Sequence, residues 1–129
     1  MHSYNEGVEC LYHSTGAVPY LDARADCIAR GAVLFMPKTR PRLDVFFYIA
    51  GVLKRQYTWI GLTDRAVEGT FVWEDGEPIN GSTIKWAVGQ PDNNLGIDDC
   101  CGTDDYVKYA GLNDYDCTSS AFYICQLGP

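Results

Sequence analysis

Between Gly89 and Cys100 the chain reads GQPDNNLGIDDC: three aspartates and three side-chain amides within twelve residues, closed by a cysteine. Like charges this close repel, so such a loop calls for something that neutralises it. A hard cation such as Ca²⁺ takes roughly 6–8 oxygen ligands from carboxylates, amide carbonyls, backbone carbonyls and water. Gln90, Asp92, Asn93, Asn94, Asp98 and Asp99 offer such donors, and glycines let the backbone fold tightly around an ion. Further on, GLNDYDC carries Asn113, Asp114 and Asp116 ahead of Cys117. Cys100 and Cys117 are placed to tie the loop to this second acidic pair. The spacing is not that of an EF-hand, whose D-x-[DN]-x-[DN]-G signature is absent. The competing interpretation is a merely solvated acidic loop.

Composition narrows the classes. The chain has 129 residues, 47% of them hydrophobic, and a net charge of −7. That is one domain's worth of sequence, read as 1–129, with enough apolar residues for a core. The acidic balance argues against nucleic acid and anionic membrane surfaces and suits cation binding. The longest apolar run, Val45 to Leu53, is too short for a bilayer span, so no membrane insertion is expected. The first residues lack the basic and apolar regions of a signal peptide. There are six cysteines, an even number, with no C-x-x-C pair and only two histidines, His2 and His13. This points to disulfides and a secreted, extracellular protein rather than to zinc; reduced cytosolic thiols are the alternative. Asn80-Gly81-Ser82 is a glycosylation sequon, although Asn-Gly is equally an ordinary turn dipeptide.

The elements that must position these donors follow from periodicity. Val8 to His13 reads as a first strand. Val18 to Arg30 reads as a helix with Leu21, Ala25 and Ile28 on one face and Gly31 as its stop. A second helix runs from about Pro41 to Lys54, capped by Thr39, with Leu43, Phe46, Phe47, Ala50 and Leu53 as its buried stripe. Thr58 to Leu62 is a buried strand, and Thr70 to Trp73 another. Nothing between Asp75 and Asp99 reads as regular, and a structureless loop of that length is usually functional. Tyr106 to Ala110 and Ala121 to Leu127 read as closing strands. Helices early and strands late make an α+β domain rather than alternating βαβ units.

YLDARADC, TWIGLTD, FVWEDGEPI, QPDNNLGIDDC, NDYDC and FYICQL occur in this order over nearly the whole chain. In this combination the sequence resembles the C-type lectin-like domain family. The resemblance implies a double-looped α+β fold whose long loop carries a calcium and sugar site. Its ligands would be Gln90, Asp92, Asp98, Asn113 and Asp114, with Gln90, Asp92, Asp98 and Asn113 also meeting the sugar. An auxiliary calcium site would use Asp64, Glu68, Asn93 and Asp99. In the family Glu-Pro-Asn resembles mannose and glucose binders and Gln-Pro-Asp galactose binders. The implied partner is therefore terminal galactose or N-acetylgalactosamine, held by its 3- and 4-hydroxyls. Galactose binders of the family often stack the sugar on an aromatic ring just after the tripeptide. Here Asn93, Asn94 and Leu95 occupy that place, leaving Tyr106, Tyr109 or Tyr115 as substitutes from elsewhere. Trp86 and Leu112 are expected to be packing positions.

The resemblance also pairs Cys27 with Cys125 and Cys100 with Cys117. In the chain-entropy model these are worth roughly 4–5 and about 3 kcal/mol. Cys10 and Cys101 are left over. Either they bond each other, which is favoured slightly, or one reaches another chain to make a homodimer. Dimers would matter because clustering weak sugar sites raises avidity. An alternative on the same scaffold is a module that recognises protein or ice and uses calcium only to order its loop. An enzyme is not expected, since there is neither a placed general base nor a nucleophile motif such as G-x-S-x-G.

Overall fold

The computed structural model describes residues 2–4, 9–54, 56–90 and 99–127. The architecture is α+β, with helices on both sides of one mixed sheet. The strands are β1 (His2–Tyr4), β2 (Glu9–His13), β3 (Val33–Leu34), β4 (Thr58–Val67), β5 (Thr70–Trp73), β6 (Asp99–Thr103), β7 (Asn113–Asp116) and β8 (Phe122–Leu127). Their order is β1-β2-β8-β4-β6-β7, with β3 added to β8 and β5 to β4. Only the β4–β8 pair among these strands is parallel.

Strand alternation splits the core in two. Ile60, Leu62, Cys101 and Ile124 face one side, where they meet Phe46, Phe47 and Ala50. Trp59, Cys100, Tyr123 and Cys125 face the other and meet Tyr20, Ala23 and Cys27. Both disulfides, Cys27–Cys125 and Cys100–Cys117, lie on this second side, as the resemblance implied.

The first helix, α1 (Tyr20–Ala29), forms where expected but buries a different face. Leu21 and Ile28 are about half exposed, while Tyr20, Ala23 and Cys27 are buried. The disulfide from Cys27 to β8 and the edge-on packing of Tyr20 against Trp59 outweigh the apolar period. The second helix begins as predicted: Thr39 Oγ1 accepts from Arg42 N at 3.4 Å at the start of α2 (Arg40–Phe46). It then widens into a π-helical segment, Phe47–Lys54. Wider winding rotates the buried face, so Ile49 and Gly51 turn inward and Leu53, expected in the core, is 63% exposed.

Tyr106 to Ala110, expected as a strand, is instead a short helix, α3 (Tyr106–Tyr109). Asp105 caps it by accepting from Lys108 N at 3.2 Å, and the Tyr106 ring stacks on Phe47 with centroids 4.6 Å apart. Cap and stacking together override the β preference of tyrosine and valine.

Cys10 and Cys101 do not bond; both thiols are free. Cys10 lies on β2 and Cys101 on β6, three strands further across the sheet. At roughly 4.8 Å per strand that separation is about 14 Å, beyond the reach of a disulfide. Trp86 packs edge-on against Phe71, and Leu112 is wholly buried, so both are packing positions as expected.

Candidate functional site

Three adjacent strands put carboxylates on one face of the sheet. Thr63 of β4 pairs with Cys100 of β6, which sets Asp64 beside Asp99. Cys101 of β6 pairs with Asp114 of β7, so Asp99, Cys101 and Asp114 share a face. Asp64, Asp99 and Asp114 are all buried. Between Trp59 and Thr63 the β4–β6 register shifts, and this irregularity sets which β4 residue lies across from Asp99.

Asp64 is held at both oxygens. Its Oδ1 accepts from Asp99 N at 3.1 Å and its Oδ2 from Gly69 N at 2.9 Å. Glu68 closes the cluster from the β4–β5 turn: ligand atoms of Asp64, Glu68 and Asp99 all lie within 4.8 Å of one another. At an effective dielectric near 20, two full charges at that distance repel by about 3–4 kcal/mol. Burial, then the charges of Asp114 and Asp64, push the Asp99 carboxyl up from 3.8 to about 7. Its Oδ2 is buried without a hydrogen-bond partner among the described residues. Three oxygen-donor side chains around an unsatisfied buried carboxylate oxygen fit a hard cation and lack the thiolate and imidazole donors of a zinc site.

The second group of expected ligands is assembled from the loop that ends at Gln90 and from strand β7. Residues 85–90 are laced to 111–114 by Leu112 N to Lys85 O (2.9 Å) and Ala87 N to Leu112 O (2.7 Å). A turn closed by Gln90 N to Ala87 O at 3.0 Å, with Gly89 at φ +82°, then aims Gln90 at β7. Gln90 Oε1 accepts from Asp114 N at 3.4 Å. Gln90, Asn113 and Asp114 are thus brought together, and Asp114 stands next to the Asp64–Glu68–Asp99 cluster. Asp92, Asn93, Asn94 and Asp98 lie outside the described residues. Asn113 has a support that sequence spacing could not reveal: Tyr57 Oη donates to its backbone carbonyl at 2.8 Å across 56 positions.

The tyrosines offered as sugar platforms have other partners. Tyr106 stacks on Phe47. Tyr115 alternates with Asp114 on β7, faces the opposite side and packs on Tyr57, centroids 5.1 Å apart. The Tyr109 side chain lies outside the described residues.

An α+β domain with two cysteine cross-links and an oxygen-lined cluster beside a long loop is a binding scaffold built around acidic side chains. The chain belongs to the C-type lectin family: the family described as "Lectin C-type domain" matches residues 17–127. It is similar to CD209 antigen-like protein A of Mus musculus, with 36% identity over 118 residues, 91% of this chain and 47% of that protein. Among solved structures it resembles the human scavenger receptor C-type lectin carbohydrate-recognition domain (TM-score 0.84, 28% identity, 99% of this chain and 97% of that one). It also resembles the C-type lectin CEL-I of Cucumaria echinata (TM-score 0.82, 27% identity, 98% and 94%). The chain spans about half the length of the curated relatives it matches first.

Proposed function

We propose that this chain is a calcium-dependent carbohydrate-recognition domain for terminal galactose or N-acetylgalactosamine, and that residues 1–129 form one such domain in an extracellular setting. The observation that carries the reading is the contact between Gln90 Oε1 and Asp114 N. It joins the first residue of Gln-Pro-Asp to the Asn-Asp strand, so oxygen donors from two distant segments converge.

In this reading Gln90, Asp92, Asp98, Asn113 and Asp114 hold Ca²⁺, and Asp64, Glu68, Asn93 and Asp99 hold an auxiliary ion. A bound calcium ion supplies open coordination places for two neighbouring sugar hydroxyls. The chain does the selecting. A hydroxyl has one proton and two lone pairs. With one lone pair on calcium, each of the two hydroxyls would accept from one amide NH₂, Gln90 or Asn113, and give its proton to one carboxylate, Asp92 or Asp98. Gln-Pro-Asp fixes donor and acceptor on the sides opposite to Glu-Pro-Asn, which favours the 3,4-diol of galactose. No side chain is assigned a catalytic role. The two disulfides support the extracellular setting.

The alternative, a module that recognises protein or ice, gains weight because Tyr106 and Tyr115 pack elsewhere and leave the sugar without them as a stacking platform. Retention on immobilised galactose separates the two. The chain is expected to bind with millimolar calcium, to elute with EDTA, and to be displaced by galactose more readily than by mannose. Absence of calcium uptake in titration calorimetry at neutral pH overturns the metal-based reading. Calcium uptake without galactose-sensitive retention overturns the sugar alone.

A further inference from the structure

On the sheet side remote from α1, the outer surface of the π-helical segment is apolar and open. Tyr48 is 55% exposed, Val52 38% and Leu53 63%, three large apolar side chains within six residues. Beside them runs a groove of about 630 Å³ lined by Asp44, Val45, Tyr48, Ile49, Leu53 and Lys54, among others. Scattered single apolar residues are ordinary on a protein surface, but a contiguous patch beside a groove marks an interaction site.

We infer that this face pairs with a second copy of the chain about a two-fold axis. The argument is charge complementarity. Asp44 and Lys54 both line the groove, ten residues apart, so they stand near its opposite ends, about 15 Å apart at the α-helical rise and less with π winding. In an antiparallel, isologous pairing the axis passes close to Ile49, the midpoint. Lys54 of each protomer then meets Asp44 of its partner, and each Leu53 enters the groove over the partner's Val45. Asp44 is available for this: its own pair with Arg40 is long, 3.8 Å, and both side chains are well exposed, at 46% and 64%. With His13 also in its lining, a groove that carries one acid and one lysine is self-complementary, whereas the chain as a whole carries a net charge of −7 and repels its copies elsewhere.

The test is sedimentation equilibrium of the whole chain at moderate salt, with charge-swapped variants at these exposed positions. The native chain is expected to show a reversible monomer–dimer equilibrium. D44K or K54D alone should weaken dimerisation at least about tenfold, and the double swap D44K/K54D should restore it to within about threefold. Leu53→Asp, a surface change that leaves the core intact, should give a monomer with an unaltered circular dichroism spectrum. A native chain that stays monomeric to about millimolar concentration overturns the proposal. So do single swaps without effect, or a double swap no better than either single. If the same face binds anionic lipid vesicles while the chain stays monomeric, the partner is a membrane surface and the second copy is wrong. None of these readouts depends on sugar or calcium.

Discussion

On the proposed reading Asp99 ties the ion-free stability of the domain to calcium affinity, and the two should respond to pH in opposite senses. Its carboxyl is raised from 3.8 to about 7 by burial and by Asp114 and Asp64. A group whose folded value lies above its unfolded value contributes stability fully present below the unfolded value and lost as pH rises through the folded one. The calcium-free domain should therefore melt at a progressively lower temperature between about pH 4 and pH 7. Asp26, Asp75 and Asp116 do not mask this. They are held below the usual carboxylate range by Arg30, Lys38 and the Thr118 backbone, and lose their contribution only below about pH 4. Calcium, on the proposed reading, needs Asp99 ionised. Binding should then release about half a proton at pH 7 and about nine-tenths at pH 6. Affinity at this site should fall roughly tenfold from pH 8 to pH 6. Titration calorimetry in two buffers of different ionisation enthalpy reads the proton release, and differential scanning calorimetry reads the melting temperature. Asp99→Asn should flatten the ion-free melting profile across this window while weakening calcium uptake. Calcium affinity unchanged between pH 8 and pH 6, or uptake without proton release, refutes the placement of Asp99 at a metal.

If the proposed galactose preference holds, exchanging the tripeptide donors, Q90E with D92N, should move it toward mannose by roughly 10–100-fold in competition binding, the worth of one or two mispaired hydroxyls. Gly102→Ala should lower the melting temperature by about 10 °C or more, because a Cβ there would lie 2.1 Å from the Thr58 carbonyl oxygen and force β4 and β6 apart.

Much of the framework was legible because its signals are local. The Thr39 cap, the β-branched start of β4 and strand β5 each depend on neighbouring residues, and each stands where periodicity put it. What failed depended on distant partners. Leu21, Ala25 and Ile28 have the right period for a buried stripe, but Cys27 is bonded to β8, 98 positions away, and that bond turns the other face inward. Leu53 kept the α-helical count, and the π winding moved it out to solvent. Tyr106 has a strand former's side chain and forms a helix because Phe47 offers it a stacking partner. For the candidate site, residue types pointed to Gln90, Asp99, Asn113 and Asp114 as oxygen donors, and the resemblance added Asp64 and Glu68. No pattern within the sequence could announce that Asp99 and Asp114 share a face, because that follows from the β6–β7 register.

That register also explains how the fold tolerates its own acidic cluster. Buried like charges would drive apart strands held only by hydrogen bonds. Here Asp99 is followed directly by Cys100, and Asp116 by Cys117, and these two cysteines bond β6 to the end of β7. Alternation sends the disulfide to the α1 side of the sheet and the carboxylates to the other. The cross-link therefore fixes the spacing of the acids without occupying the space between them. β4, which supplies Asp64, is held in turn by three strands, β5, β6 and β8, and is buried on both faces through its first half. Burial first, and then repulsion from Asp114 and Asp64 that the backbone cannot relieve by moving, favour the protonated form and push Asp99 up to about 7. A rigid frame around mutually repelling oxygens is preorganised for a cation: the ordering cost is met on folding, and relief of the repulsion adds to the affinity on binding.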